Sequence, residues 1–456
     1  MGSNISKSLI ITVVSLAILT FLGIFSETSL AIVSPFLMTE FNVTEIYVQW
    51  LTSGFLLILA VAIPLSPFLV KTVSTKLLFQ MAVIINVLGA LLGGFAVNFT
   101  MLLLGRLIMA VGTGLSLPLL TNIVLEECAP QQRGALLGLA GFVASFAPVL
   151  GPVLGGVISE YFGWRWIFLF MVPVLIISFI MGSITIRDIR KDSKYYLDIK
   201  SFIISSAGLV SFIIGLSLTS YKGILLILFS IVMLFLFLYM QKKSSNPLIN
   251  TKVLNYKMFK LGLITVCVPM SVILALAFLI PIYAQNGLGK KALESSFILF
   301  PGAALTGLIA PVMGIKYSKY GVRKLLIPGF TLMSLAMLYI IISEKTYINA
   351  IISYFTLMLG VSFCHIPAQA NTLNALPNKY NPDGTAVLNT LHQLSGAAGT
   401  ALSSALLSFG TSRQDYTSIN DIYKYGSDYG FIFCFVICVI GLITALNLKT
   451  TIKIKR

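Results

Sequence analysis

Fourteen apolar segments, each long enough to cross a bilayer as an α-helix, follow one another along this 456-residue chain with only short polar breaks. They cover 8–38, 46–70, 77–97, 101–124, 134–158, 164–186, 201–219, 223–240, 259–285, 292–315, 324–343, 347–376, 384–408 and 429–448. About twenty residues of helix match the hydrocarbon thickness, and in hydrocarbon every backbone polar group must bond within its own helix. The pattern therefore predicts an all-α polytopic membrane protein with fourteen transmembrane helices. Composition excludes the soluble alternative: 57% of residues are hydrophobic and 10% are charged, too few for a hydrated surface. The N-terminal run has one lysine and no small-residue cleavage site in place, so it reads as a first helix and not as a removed signal.

A net charge of +16 raises the question of nucleic acid, but the distribution answers it. With the N-terminus placed in the cytoplasm, twenty-three Lys and Arg fall in inner segments and six in outer loops. Such a bias orients a membrane chain, so both termini are expected in the cytoplasm and nucleic acid is not expected as a partner. The five cysteines (Cys128, Cys267, Cys364, Cys434, Cys438) lie scattered on apolar segments without metal-ligand spacing. They read as packing residues, and no metal or cofactor is expected.

Two basic loops resemble each other. Pro67-Phe-Leu-Val-Lys71-Thr-Val-Ser74-Thr-Lys76 follows the second segment, and Gly314-Ile-Lys-Tyr-Ser318-Lys-Tyr-Gly321-Val-Arg323-Lys324 follows the tenth. Repetition at that offset predicts a duplicated six-helix half with two helices inserted between the copies. The expected domains are an N-terminal bundle at 1–186, a linker with the inserted pair at 187–258, and a C-terminal bundle at 259–456. Any cytoplasmic loop carries glycine and lysine, so the pair of loops by itself leaves the duplication open.

Of the fifteen acidic residues, Glu27 alone lies well inside an apolar segment. Insertion of such a group costs ~3 kcal/mol even on lenient scales, so it is expected to face protein or water and to have a function. Steps of three or four residues from Glu27 meet Thr20, Gly23, Ala31 and Ser34, a stripe suited to helix contact or to a cavity wall. Arg106, one to two turns into the fourth segment, falls at a similar depth. Burial favours a protonated carboxyl and a neighbouring guanidinium favours the charged one. A balance between the two that changes as helices move is what proton coupling requires, although a static ion pair would use the same residues.

The fifth segment places small residues every three to four positions and carries Pro148, Gly151, Pro152, Gly155 and Gly156 at membrane depth. Glycines at that spacing admit close backbone approach, and buried prolines bend helices. Ordinary tight packing would produce the same spacing.

These residues carry a resemblance. Gly151-Pro-Val-Leu-Gly-Gly156 with Pro148 resembles the antiporter motif of the major facilitator superfamily, and Leu104-Gly-Arg106-Leu-Ile-Met-Ala-Val-Gly112-Thr-Gly114 resembles its fourth-helix arginine-and-glycine motif. Phe162-Gly-Trp164-Arg165-Trp166-Ile-Phe168, Ile280-Pro-Ile-Tyr283-Ala-Gln285, Ile366-Pro-Ala-Gln369-Ala-Asn371 and the run from Gly384 to Gly399 are similar to the fourteen-helix drug:proton antiporter branch, of lincomycin-resistance and multidrug-efflux type. The resemblance spans nearly the whole chain and implies the major facilitator fold. It also has departures. The family's loop carboxylate is replaced at Lys71 and Ser318, so a latch built on it is not carried over, and Glu27-Thr28 stands where the branch has Asp-Thr.

The expectation is thus a bacterial plasma-membrane exporter, working as a monomer, that exchanges protons for lipophilic cationic drugs and dyes. A drug site is expected near the midplane between the halves, from Tyr283 and Gln285, Gln369 and Asn371, and Asn389 and His392. Each of these side chains serves helix packing equally well. The alternative is a proton-coupled importer or uniporter on the same fold. A membrane enzyme or receptor lacks support, since the sequence shows no catalytic constellation.

Overall fold

The computed structural model describes residues 7–65, 68–69, 72–127, 147–186, 198–218, 220–244, 247–377, 380–412 and 418–450. Pro67, Lys71, Cys128, Lys379, the first half of the fifth segment and the linker residues 187–197 lie outside the described residues, as do both ends of the chain.

The helices in chain order are α1 (Lys7–Ile32), α2 (Ser34–Phe41), α3 (Glu45–Val48), α4 (Trp50–Ala62), α5 (Thr75–Gly94), α6 (Phe99–Glu127), α7 (147–161), α8 (Arg165–Leu169) and α9 (Met171–Thr185). They continue with α10 (Ile199–Ser217), α11 (Tyr221–Lys243), α12 (Lys257–Ile282), α13 (Ala292–Tyr320), α14 (Arg323–Ile342), α15 (Tyr347–Asn374), α16 (Asn381–Thr411), α17 (Ile419–Gly426) and α18 (Asp428–Asn447). Each of the fourteen expected segments is helical over its described part, apart from short breaks. Among the described residues twelve helices are long and apolar enough to span a membrane. The two segments missing from that set have plain reasons: α7 is described only from residue 147, and α16, though 31 residues long, is rich in glycine, serine, threonine and amide side chains.

The first segment does not run as one helix. It breaks at Val33, because Pro35 near the start of α2 has no N–H to donate to the preceding turn. Pro64 similarly closes α4 in a short 3-10 turn, Ile63–Leu65. Past Pro281, α12 loosens into a π-turn, Tyr283–Gly287, in which Leu288 N donates to Tyr283 O at 3.0 Å. Such single π-turns re-aim the side chains they carry.

The chain divides into two compact units, Met1–Leu30 with Gly54–Leu197, and Ala31–Ser53 with Asp198–Arg456. In the first, α5 and α6 meet backbone to backbone: a Cβ on Gly105 would lie 2.7 Å from Gly93 N and 2.8 Å from Gly89 O. In lipid no hydrophobic drive joins helices, so such close contact is what holds them. Phe55, Phe79, Met109, Ile167 and Phe168 fill the interior. In the second unit Gly399 of α16 presses on Ser271 of α12, Gly329 of α14 on Gly360 of α15, and Gly441 of α18 on Phe330 of α14. Cys364, Cys434 and Cys438 are buried there and Cys267 is half-buried, in line with packing roles. Helix α11 exposes Ile224, Leu225, Val232 and Phe235, each more than half accessible, as a helix surrounded by lipid does.

Candidate functional site: the Glu27 turn

Within the first unit, Glu27 is 7% exposed and Arg106 fully buried. Arg106 reaches the first helix through the serine that precedes the acid: its Nη1 donates to Ser26 Oγ at 2.8 Å, and Ser26 Oγ donates in turn to Gly23 O at 2.8 Å. The guanidinium lies 4.2 Å from the centroid of the Phe55 ring, within cation–π range. The two side chains are near enough that a charged Glu27 attracts Arg106 across this turn. A motif glycine and one from the Glu27 stripe bring them together. Gly112 admits Asn86 and the Ala82 carbonyl of α5, and Gly23 admits the Thr113 side chain of α6, so that α1, α5 and α6 close on one another at this depth.

The antiporter-like motif packs on the same turn from another side. A Cβ on Gly151 would fall on Thr28 Oγ1, and one on Gly155 would lie 2.8 Å from Ser29 Cα and 2.9 Å from Ser29 O. Ser29 Oγ donates to Gly151 O at 2.9 Å. Four consecutive residues of α1 are therefore divided between two helices: Ser26 and Glu27 answer to α6, Thr28 and Ser29 to α7. Beside them runs an open apolar groove of about 590 Å³, walled by Ile18, Phe21, Leu22 and Phe25 of α1, Leu154 and Ile158 of α7, and Phe170, Met171 and Val174.

The candidate substrate residues fall in the second unit and have different surroundings. Tyr283 is 1% exposed, its ring edge-on to Phe431 at 5.7 Å, and Asn371 is bonded to the Tyr317 hydroxyl at 3.1 Å. Both are committed to helix contacts. Gln285 Nε2 donates to Ile32 O at 2.8 Å and borders a polar recess of about 410 Å³ with Asn286, Asn420 and Tyr423. Asn389 is exposed. Gln369 and His392 are half-buried, and the ring of His392 meets that of His365 at 5.8 Å between centroids. Sequence reading singled out His392 but passed over its pairing with His365, as well as Ser26, Phe55, Thr28 and Ser29. Of these, only Thr28 and Ser29 carried a signal, being small residues beside the acid.

Membrane-length helices in two compact units, with an acid and an arginine buried together in the first, define a polytopic membrane transporter. The chain belongs to the Major Facilitator Superfamily, whose family model matches residues 16–400. It is 36% identical to the lincomycin resistance protein LmrB of Bacillus subtilis (strain 168), over 96% of this chain and 95% of that one. It is 35% identical to LmrB of Listeria innocua, over 94% of each. A multidrug resistance protein B homolog of Mycobacterium tuberculosis (strain H37Rv) is 24% identical over 82% of this chain and 71% of its own. Among solved structures, a bacterial homologue of the human lysosomal transporter Spinster matches with a TM-score of 0.71 at 14% identity, covering 97% of each chain. The peptide transporter POT matches at 0.69 and 14% identity, covering 96% of this chain and 94% of its own. These two show the fold alone.

Proposed function

We propose that this protein is a proton-coupled multidrug exporter of the bacterial plasma membrane, both termini cytoplasmic, that works by alternating access as a monomer and expels lipophilic cationic drugs and dyes. The names of the LmrB relatives and the apolar groove along α1 support the drug class. The 1–186 and 259–456 bundles are the two moving halves, with the inserted pair between them in sequence.

The observation that carries the reading is the Glu27 turn. When Glu27 is charged, it attracts Arg106 and holds the α1–α6 contact tight. When it takes a proton the attraction goes, while Arg106 keeps its bond to Ser26 and its place on Phe55. Because α7 is pressed on the next two residues, movement of this turn is passed to the antiporter-motif glycines without an intermediate element. A proton on one carboxyl thus biases a helix contact with two arrangements, which is how a small charge change drives a large one.

The test is Glu27→Gln, which keeps size and hydrogen bonding but holds the group in a protonated-like state. Uphill efflux of a cationic dye from vesicles carrying a proton gradient should vanish, and the pH dependence of dye binding should flatten. Continued gradient-driven export by that variant would show that another acid couples the proton.

A further inference from the structure

The chain has two histidines, and the fold brings them together. His365 lies on α15 and His392 on α16, nine residues before the end of one and eleven after the start of the other, so both stand ~14–17 Å along their helices from the ends joined by 375–380. Their rings meet at 5.8 Å with a 58° tilt. Gln369, one turn past His365 on the same face, sets its amide nitrogen 3.4 Å from His365 Nε2. His392 Nε2 is buried and has no hydrogen-bond partner among the described residues. On the residue before His392, the Leu391 carbonyl accepts a hydrogen bond from Cys267 Sγ of α12 at 3.6 Å.

Polar rings at this depth face protein or a watered path, since lipid offers them nothing. No group of three His, Cys, Asp or Glu that could hold a metal ion occurs among the described residues. A buried ring nitrogen without a partner, flanked by a second imidazole and an amide that are both half-accessible, has an open hydrogen-bonding position, and with the ring proton on Nδ1 that position accepts from an incoming donor.

We propose that His365, Gln369 and His392 form one anchor that accepts a hydrogen bond from an O–H or N–H group of the transported compound. The anchor rests on the exporter reading and narrows its substrates to amphiphiles that carry such a donor, in addition to any cationic charge. Donor-bearing drugs engage it; cations without a donor pass by charge and apolar contact alone.

The test is equilibrium binding of two probes to the purified full-length protein. Lincomycin carries several hydroxyl and N–H donors, and tetraphenylphosphonium is a lipophilic cation with none. His392→Phe should weaken lincomycin binding about tenfold, the loss expected for one buried hydrogen bond, and leave tetraphenylphosphonium binding within about twofold. His392→Asn, which restores a short acceptor and is the variant to rely on if the phenylalanine variant does not fold, should recover part of the lincomycin affinity selectively. Equal loss for both probes would mark the pair as structural packing, and unchanged lincomycin binding, or none by the wild-type protein, would also overturn the proposal. Failure of the exporter reading looks different: the wild-type protein would bind lincomycin but not expel it from vesicles.

Discussion

Arg106 is a buried cation asked to do two things, donate to Ser26 and sit over the Phe55 ring. Only a planar, delocalised group does both. Lysine keeps the charge but lacks the fork and the stacking face. Arg106→Lys is therefore expected to reach the membrane in normal amounts and to transport at least tenfold more slowly, measured as dye efflux per molecule. Normal efflux would mean that charge alone suffices. At this scale the sequence was half legible. A carboxylate inside an apolar run and an arginine at matching depth stand out because both are costly there. Ser26 does not stand out, since a serine in a helix ordinarily bonds its own backbone, as Ser26 does with Gly23, and only the folded neighbours reveal its second partner. The histidine pair was hidden for the same reason, the two residues being on different helices.

Among the elements, α7 shows how little room a helix contact can leave. At Gly155 the atoms that a side chain would meet are Cα, Cβ and O of Ser29 in α1, all fixed by the backbone and unable to rotate away. Gly155→Leu should insert but fail to transport, with a lowered midpoint in a thermal melt of the detergent-solubilised protein. Wild-type efflux from that variant would reduce the motif to incidental spacing. The small-residue repeat was readable in advance, whereas its partner was not, because glycine spacing says that something approaches without saying what. Helix ends were the weaker part of the reading. Pro35 was in view, yet the apolar run continued through it and hid the break at Val33. Helix α17 went unread although Ser418 and Asp421 exchange hydrogen bonds at its start, a capping pair that stands in the sequence as Ser-x-x-Asp.

For the molecule as a whole, the count and class of helices followed from the periodic return of apolar segments, a signal that hydrocarbon enforces on any spanning chain. The grouping of Ala31–Ser53 with the later helices did not follow, since it depends on which distant segments touch. Orientation rests on the asymmetry of basic loops and has its own test. In a background without native cysteines, single cysteines at Tyr221 and Asp421 should react with an impermeant reagent added outside intact cells, and one at Ser244 should not. Labelling of Ser244 from outside would invert the topology and with it the direction of export.

The polarity of α16 bears on how the protein is made. A segment with Asn389, Thr390, His392 and Gln393 in its first half partitions poorly into lipid while it is alone, and α12, against which Gly399 lies flush on Ser271, has already left the ribosome when α16 emerges. Its residence in the bilayer depends on helices synthesised before it, so the order of synthesis and the order of assembly are tied together at this point.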